Sequence, residues 1–418
     1  MGEGGLGSPN STSPRAGRRI SGGARVSHPG AHPWGPPNGK QPTEPGRGPR
    51  RPHQHQASQS ETRVSQSLWT SLRLWSQTVD SRVSGGAHSG RTTETTSGAP
   101  MTTVITISNQ KGGCGKTTSV ISLASALAMR GYTATVVDCD PQANATQAFG
   151  EEAEELHEDQ YTVVDAYLSG KGADQIEMSF PDRLGGRLFL VPGSRGISTV
   201  QFRFDAHVQE RLATQEITDL DADGLKDDQR RRLKNSLDTL RGKRDFVLVD
   251  TGPELGLVMT TALIAADYFI IPVIPSGYDL KGLKMLLKAV SQIRNRYRPD
   301  LTLLGVLLSK VKRTNLDKEI RDYLEGVFDP QDLFNVEIAD SVRHREATLY
   351  GQSIHEHAPG EPASEQFMML ADEVLAKLGN PKPIDQSPEG EEALGDSEPV
   401  VDVQPVAPSR TADASVEA

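Results

Sequence analysis

The chain predicts an α/β fold in which a mostly parallel sheet carries helices on both faces. Three observations predict it. From residue 101 onward, short β-branched runs alternate with segments of helical apolar period, the pattern of βαβ units. A glycine-rich loop stands between the first strand and the first helix, and a later apolar run ends in aspartate, at Asp250. Both features belong at the carboxyl edge of such a sheet, where α/β folds bind ligands.

The first strand is Val104-Ile-Thr-Ile107, and the helical period runs from Val120 to Met129. Between them lies Asn109-Gln-Lys-Gly-Gly-Cys-Gly-Lys-Thr-Thr118. Glycines at 112, 113 and 115 let the backbone wrap phosphate oxygens, and the helix N-terminus adds attraction. The predicted phosphate cradle is Lys111, Gly112, Gly113, Cys114, Gly115, Lys116, Thr117 and Thr118, making this a P-loop NTPase-like sheet. Lys116 is placed to reach the β- and γ-phosphates and the Thr117 hydroxyl to hold Mg²⁺.

After Gly131, a helix C-cap, Thr133-Ala-Thr-Val-Val137 forms a second strand that runs into Asp138-Cys-Asp-Pro-Gln-Ala-Asn-Ala-Thr146. Both aspartates fall at a strand's carboxyl end, within reach of a nucleotide. Val163, Val164, Tyr167 and Leu168 suit one amphipathic helix, and Arg187 to Val191 a third strand. Residues 201–241 are charged and helical in pattern, and Arg230, Arg231, Arg232 and Lys234 read as a solvated face, with a DNA contact or partner-binding face as the alternative. Asp245-Phe-Val-Leu-Val-Asp250 is a buried strand delivering one carboxylate, Asp250, to a metal ion or its waters. A helix from Leu257 to Ala266 precedes the strand Tyr268 to Val273, in which Pro272 marks a strand end or an irregularity. A helix rich in lysine and arginine, a strand at Leu301–Leu308 and a last helix at Ser364–Leu378 complete the pattern. His355 and His357 lack a third ligand and read as surface residues.

The loop departs from the common G-x-x-x-x-G-K-[ST] form, since Gln110 holds the first glycine position and Lys111 follows it. In this it resembles the deviant loop K-G-G-x-G-K-[ST] of the ParA/MinD superfamily. Asp138 to Thr146 resembles the D-x-D-P-Q-G-N-A-T segment of ParA-type ATPases, with Ala143 at the usual glycine. Asp250-Thr-Gly-Pro resembles D-[TC]-P-P, with Gly252 at the first proline. Asp279-Leu-Lys-Gly-Leu283 and Asp340 to Ala347 resemble two further segments. The resemblance covers about residues 101–380 and implies a slow, partner-stimulated Mg-ATPase that forms an ATP-dependent sandwich homodimer. It implies that Lys111 reaches the partner's phosphates, that Asp140 positions the attacking water, and that Arg313 and Arg343 touch DNA without sequence preference. A ParB-like centromere-binding protein is the implied partner and plasmid or chromosome partition the implied role. A MinD-like positioning ATPase and a non-partition regulatory switch are the alternatives. An iron–sulfur reductase is disfavoured, because no cysteine follows Cys139.

Both ends differ from the middle. Residues 1–100 are rich in Gly, Pro, Ser, Arg and His and carry 12 Lys/Arg against 5 Asp/Glu. Such a stretch cannot bury enough apolar surface to offset its chain entropy. It reads as a disordered extension, a basic arm for nucleic acid, or sequence upstream of a natural start at Met101. From Pro381 the chain carries 9 acidic and 2 basic residues, a solvated acidic tail. The formal charge of the whole chain is -10, so DNA binding by the folded part needs a local basic patch. Two cysteines supply no disulfide framework and point to a reducing compartment. No apolar run approaches a membrane span, so the expected location is the cytoplasm, and the resemblance implies association with the nucleoid.

Overall fold

The computed structural model describes residues 102–275 and 280–384. The proposed extension at 1–100, the part of the 381–418 tail beyond Ile384, the start at Met101 and the acidic Asp279 lie outside the described residues. Eight strands form one sheet: β1 Thr103–Ile107, β2 Ala134–Cys139, β3 Met178–Ser179, β4 Leu188–Val191, β5 Phe246–Thr251, β6 Tyr268–Val273, β7 Thr302–Val311 and β8 Ile338–Ala339. Their order is β3-β4-β2-β5-β1-β6-β7-β8, and every pairing is parallel except β3 with β4.

The central strands are buried on both faces, as a parallel sheet covered by helices requires. On one face Ile105, Ile107, Val136 and Leu248 pack under α1 (Lys116–Met129) and α12 (Pro362–Lys377). The alternate residues Val104, Val137, Val247 and Val249 meet α4 (Val163–Leu168), α5 (Val200–Ala213), α6 (Asp219–Leu237) and α7 (Leu257–Ala265). Beside them, Phe269, Ile271 and Val306 pack on α7, on α8 (Leu280–Arg296) and on α9 (Asn315–Val327). Period-two alternation in the strands therefore sorts side chains between the two helical layers.

Pro272, the last residue but one of β6, stands close to a strand end and in an irregular strand, as the sequence suggests. The register of β6 slips between Phe269 and Ile270. The carbonyl of Ile270 accepts from Ser108 N, and that of Pro272 from Asn109 Nδ2 at 2.6 Å, so both face β1. Paired residues of β1 end at Ile107, and Pro272 therefore costs the sheet no ladder bond there. Gly305 has a packing reason too: a Cβ on it would sit 2.7 Å from the Phe334 ring. The short strand β3 lies in a stretch that shows no strand pattern in the sequence.

Candidate nucleotide site

Strand order does the assembling. β2, β5 and β1 are adjacent, so the segments that follow them emerge side by side at one edge. In register terms Asp250 is the partner of Ile107 on one side and of Asp138 on the other. The glycine loop, the 138–146 segment and the Asp250 segment thus meet although more than a hundred residues separate the first from the last.

The loop is held from below. Asn109 bonds the Pro272 carbonyl and accepts from Lys111 N at 3.2 Å. Thr251 Oγ1 donates to the Ile107 carbonyl at 3.1 Å and lies 3.1 Å from Ser108 Oγ. Gly115 caps α1 with φ of 89°, a left-handed conformation that favours glycine. Lys116 is buried and donates to the Lys111 carbonyl at 3.1 Å. Lys111 is half-buried, and Gly112 and Gly113 are exposed at the mouth.

Asp138 faces into the fold and is committed to structure. Its Oδ2 accepts from Thr146 N and Thr146 Oγ1, both at 2.8 Å, and its Oδ1 from Asp140 N at 3.1 Å. Gly193 N donates to Thr146 Oγ1, and a Cβ at Gly193 would sit 2.6 Å from the Asp138 carbonyl. Burial raises the Asp138 carboxyl to about 6 despite these bonds. Asp140, only 7% exposed, accepts from Gln142 N at 2.9 Å. Ala143 caps α2 (Asn144–Ala148) with φ of 50°. At the position where the resembling family places glycine, alanine thus adopts a left-handed backbone, a strain of roughly 1 kcal/mol.

Asp250 is the opposite case. It is fully buried, and among the described residues neither carboxylate oxygen is met with full hydrogen-bond geometry, although the Thr117 hydroxyl lies close enough to act on it. Burial pushes its carboxyl well above the usual range and the neighbouring Asp138 adds to the shift, while the nearby Thr117 hydroxyl and Lys116 ammonium oppose it. A buried carboxylate short of partners is costly, and a small divalent cation beside Thr117 fits that shortfall of bonding. A magnesium ion keeps most of its shell as water and phosphate and needs few protein ligands. The arrangement therefore suits Mg²⁺ although the described residues hold no larger acidic or histidine cluster.

Gly252 lies beside Asp140. A Cβ there would be 3.3 Å from Pro141 Cδ and 3.6 Å from Asp140 Oδ1, so the glycine lets the two segments close on each other. A cavity of about 220 Å³ opens on the other side of the loop, lined among others by Gly115, Thr118, Ser309, Lys310, Asp340 and His344. It has room for part of a nucleoside. Sequence reasoning missed its wall, because Lys310, near the end of β7, and His344, in the helix after β8, meet only once the two strands pair.

The remaining predicted residues sit around this edge. Arg313 is exposed with φ of 58°, just past β7. Arg343 opens α10 (Arg343–Leu349), where Nε donates to Glu361 and Nη1 to Glu346, each at 3.0 Å. Lys312 pairs with Asp340 at 3.5 Å, tying the two loops together. His355 corrects an expectation: it is buried, with Nδ1 2.7 Å from Ser125 Oγ, not a surface residue. Within the cluster at 230–234, Arg230 and Arg232 pair with Asp227 and Asp228 on the same helix, and Lys234 with Asp238 just past its end. Among the described residues no helix is long and apolar enough to cross a membrane.

Residues 102–303 match an AAA domain model. The sporulation initiation inhibitor protein Soj of Bacillus subtilis is 30% identical over 277 residues, 66% of this chain and 99% of that protein. The chromosome partitioning protein ParA of Myxococcus xanthus is 30% identical over 281 residues, 67% of this chain and 89% of that protein. Among solved structures, an ATP complex of Cyanothece McdA overlays with a TM-score of 0.55 at 20% identity, covering 69% of this chain and all of that one. A Mycobacterium smegmatis cobyrinic acid a,c-diamide synthase with ADP and magnesium gives 0.51 at 23% identity, with 69% and 100% covered. Near-complete coverage of Soj, together with the three motifs at one sheet edge, identifies the chain as a member of the ParA/Soj family of partition ATPases.

Proposed function

We propose that this protein is a Mg-dependent ATPase that dimerises around ATP, binds DNA without sequence preference and drives partition with a ParB-like partner. The observation that carries the reading is Asp250, a fully buried carboxylate left short of hydrogen-bond partners beside Thr117 and Lys116. Residues 101–380 form the ATPase unit, with residues 1–100 and 381–418 as appendages, and the protein acts in the cytoplasm on the nucleoid. Bound Mg²⁺ supplies charge neutralisation at the phosphates. Thr117 and Asp250 hold the ion, while Lys116 and the backbone of residues 111–118 bind the phosphates. Asp140 orients the attacking water, its backbone fixed by the Asp138–Thr146 bonds. Lys111, at the mouth, serves the nucleotide of a second subunit. Turnover is slow and partner-stimulated, as the resemblance to ParA-type ATPases implies.

Arg313 and Arg343 are the proposed phosphate contacts on DNA. Lys116→Ala is expected to lower ATP turnover at least about a hundredfold. Lys111→Ala is expected to keep ATP binding and lose the ATP-dependent dimer, read by light scattering. Arg343→Glu is expected to weaken DNA retention with ATP affinity intact. Undiminished turnover in the Lys116 variant would sink the site assignment, and an intact dimer in the Lys111 variant would sink the sandwich.

A further inference from the structure

Helix α8 has a composition unlike its neighbours. Its sequence, LKGLKMLLKAVSQIRNR, holds five cations and no acid. Leu283, Leu286, Leu287, Val290 and Ile293 face the core, which leaves Lys284, Lys288 and Arg296 exposed on the other side. Just past the helix, the guanidinium carbons of Arg230, Arg231 and Arg296 gather 5.9, 5.8 and 5.2 Å from the Tyr297 ring centroid. Asp227 bonds Arg230, Arg296 and the Tyr297 hydroxyl, and the adjacent Asp223 pairs with Lys226. Here Lys226, Arg230, Arg231, Arg232 and Arg296 face Asp223, Asp227 and Asp228, so the pairing within the cluster still leaves an excess of positive charge on this exposed face.

The chain itself carries a complementary segment. The described fold ends at Ile384, whose N–H donates to Asp245 at 2.5 Å, after Pro381 accepts from the Tyr132 hydroxyl. Asp245 stands just before β5. Arg298, past the end of α8, bonds Asp267 just before β6. Both points lie where the parallel strands begin, separated only by β1 in the sheet order, a span of roughly 10 Å. Residues 385–418 hold nine acidic residues and one basic residue, Arg410. At about 3.3 Å per residue, Glu389 to Glu398 reach roughly 15–45 Å from Ile384. Tethering on a short segment supplies an effective concentration on the order of millimolar.

We infer that the acidic segment 385–418 docks on the basic face of α8 and the Tyr297 arginine cluster, as an internal polyanion. Arg313 and Arg343 follow β7 and β8 at the opposite edge, so the arginine cluster is not part of that proposed DNA contact. A docked tail also lowers the protein's attraction for nucleic acid through long-range charge; this consequence, unlike the docking, rests on the DNA reading above.

Zero-length carbodiimide coupling of the full chain, mapped by mass spectrometry, tests the docking. Lys284 and Lys288 should couple to carboxylates between Glu389 and Glu398, with yield falling severalfold at ~0.5 M salt. Arg231→Gln, and more strongly Arg230→Glu with Arg231→Glu, should cut that yield. Coupling spread evenly over lysines across the fold, or none to α8, overturns the inference. In a second arm, Glu389, Glu391, Glu392 and Glu398→Gln with Asp396→Asn should raise retention on non-specific DNA about three- to tenfold at low salt. If neither form binds DNA, the proposed function fails while the coupling map still decides the docking. If the arginine reversals abolish DNA retention and no tail coupling to α8 is found, the face belongs to DNA and the inference is overturned.

Discussion

The two ends of the sheet use aspartate in opposite ways. Where the strands begin, Asp245 accepts from Thr133 N and Oγ1, both at 2.7 Å, and from Ile384 N. Asp267 accepts from Val104 N at 2.9 Å and pairs with Arg241 and Arg298. These carboxylates are saturated and hold the fold together. Where the strands end, Asp250 is buried with both oxygens short of partners, and Asp138, though hydrogen-bonded, faces it across the register. Buried polar groups in native folds are nearly always satisfied, so a buried carboxylate left short of partners beside a glycine-rich loop points to something else binding there. The difference separates residues that make the structure from residues the structure holds in readiness.

The strongest way to break this comparison is Asp250→Asn. Its folded-state carboxyl lies above the unfolded value, so at neutral pH the ionised form opposes folding. The amide is expected to stabilise the nucleotide-free protein by about 1–2 kcal/mol, a gain that vanishes toward pH 4, while ATP turnover falls at least about a hundredfold. Urea unfolding and phosphate release measure the two halves. A loss of stability on this change would mean that Asp250 is structural like Asp267.

At the other end, Asp267→Asn is expected to cost about 3 kcal/mol, because two arginines lose their carboxylate in a partly buried setting. ATP affinity per folded molecule should stay unchanged. A destabilisation under about 0.5 kcal/mol would place the pair among surface ion pairs of little worth.

The sequence made one of these ends legible and not the other. Lys116, Asp140 and Asp250 sit in contiguous motifs whose spacing is local, and parallel strands bring them together without further information. Asp267, Arg241 and Arg298 belong to no motif, and their meeting depends on which strands become neighbours. His355 looked exposed because two histidines two residues apart show no periodicity, and only the packing of α11 (Ile354–His357) against α1 buries one of them. Arg343 is visible as a cation, but its two carboxylate partners include Glu361, outside its own segment.

Those buried histidines give the smallest effect and the finest test. His344 packs edge-on against Phe367, with ring centroids 5.6 Å apart, and among the described residues neither of its nitrogens has a hydrogen-bond partner. Burial lowers both His344 and His355 to about 4. Lys310 reinforces the shift at His344, and Asp340 opposes it. The folded state therefore binds fewer protons than the unfolded chain, whose histidines titrate near 6.5. Stability from these groups is complete above about pH 6.5 and is lost as pH falls toward 4, of order 1–2 kcal/mol for each at pH 5. Asp138 works the other way, since a carboxyl raised to about 6 loses stability as pH rises through that window. The two slopes partly cancel in the native protein, so the measurement must be a difference. His344→Leu keeps the ring's apolar contact and removes one titrating group, while Asp138 is unchanged in both proteins. Unfolding free energies at pH 7 and pH 5 should then show the variant losing about 1–2 kcal/mol less on acidification than the parent. Equal losses would mean that His344 takes up its proton without penalty, and that the cavity wall beside the nucleotide loop is wet rather than apolar.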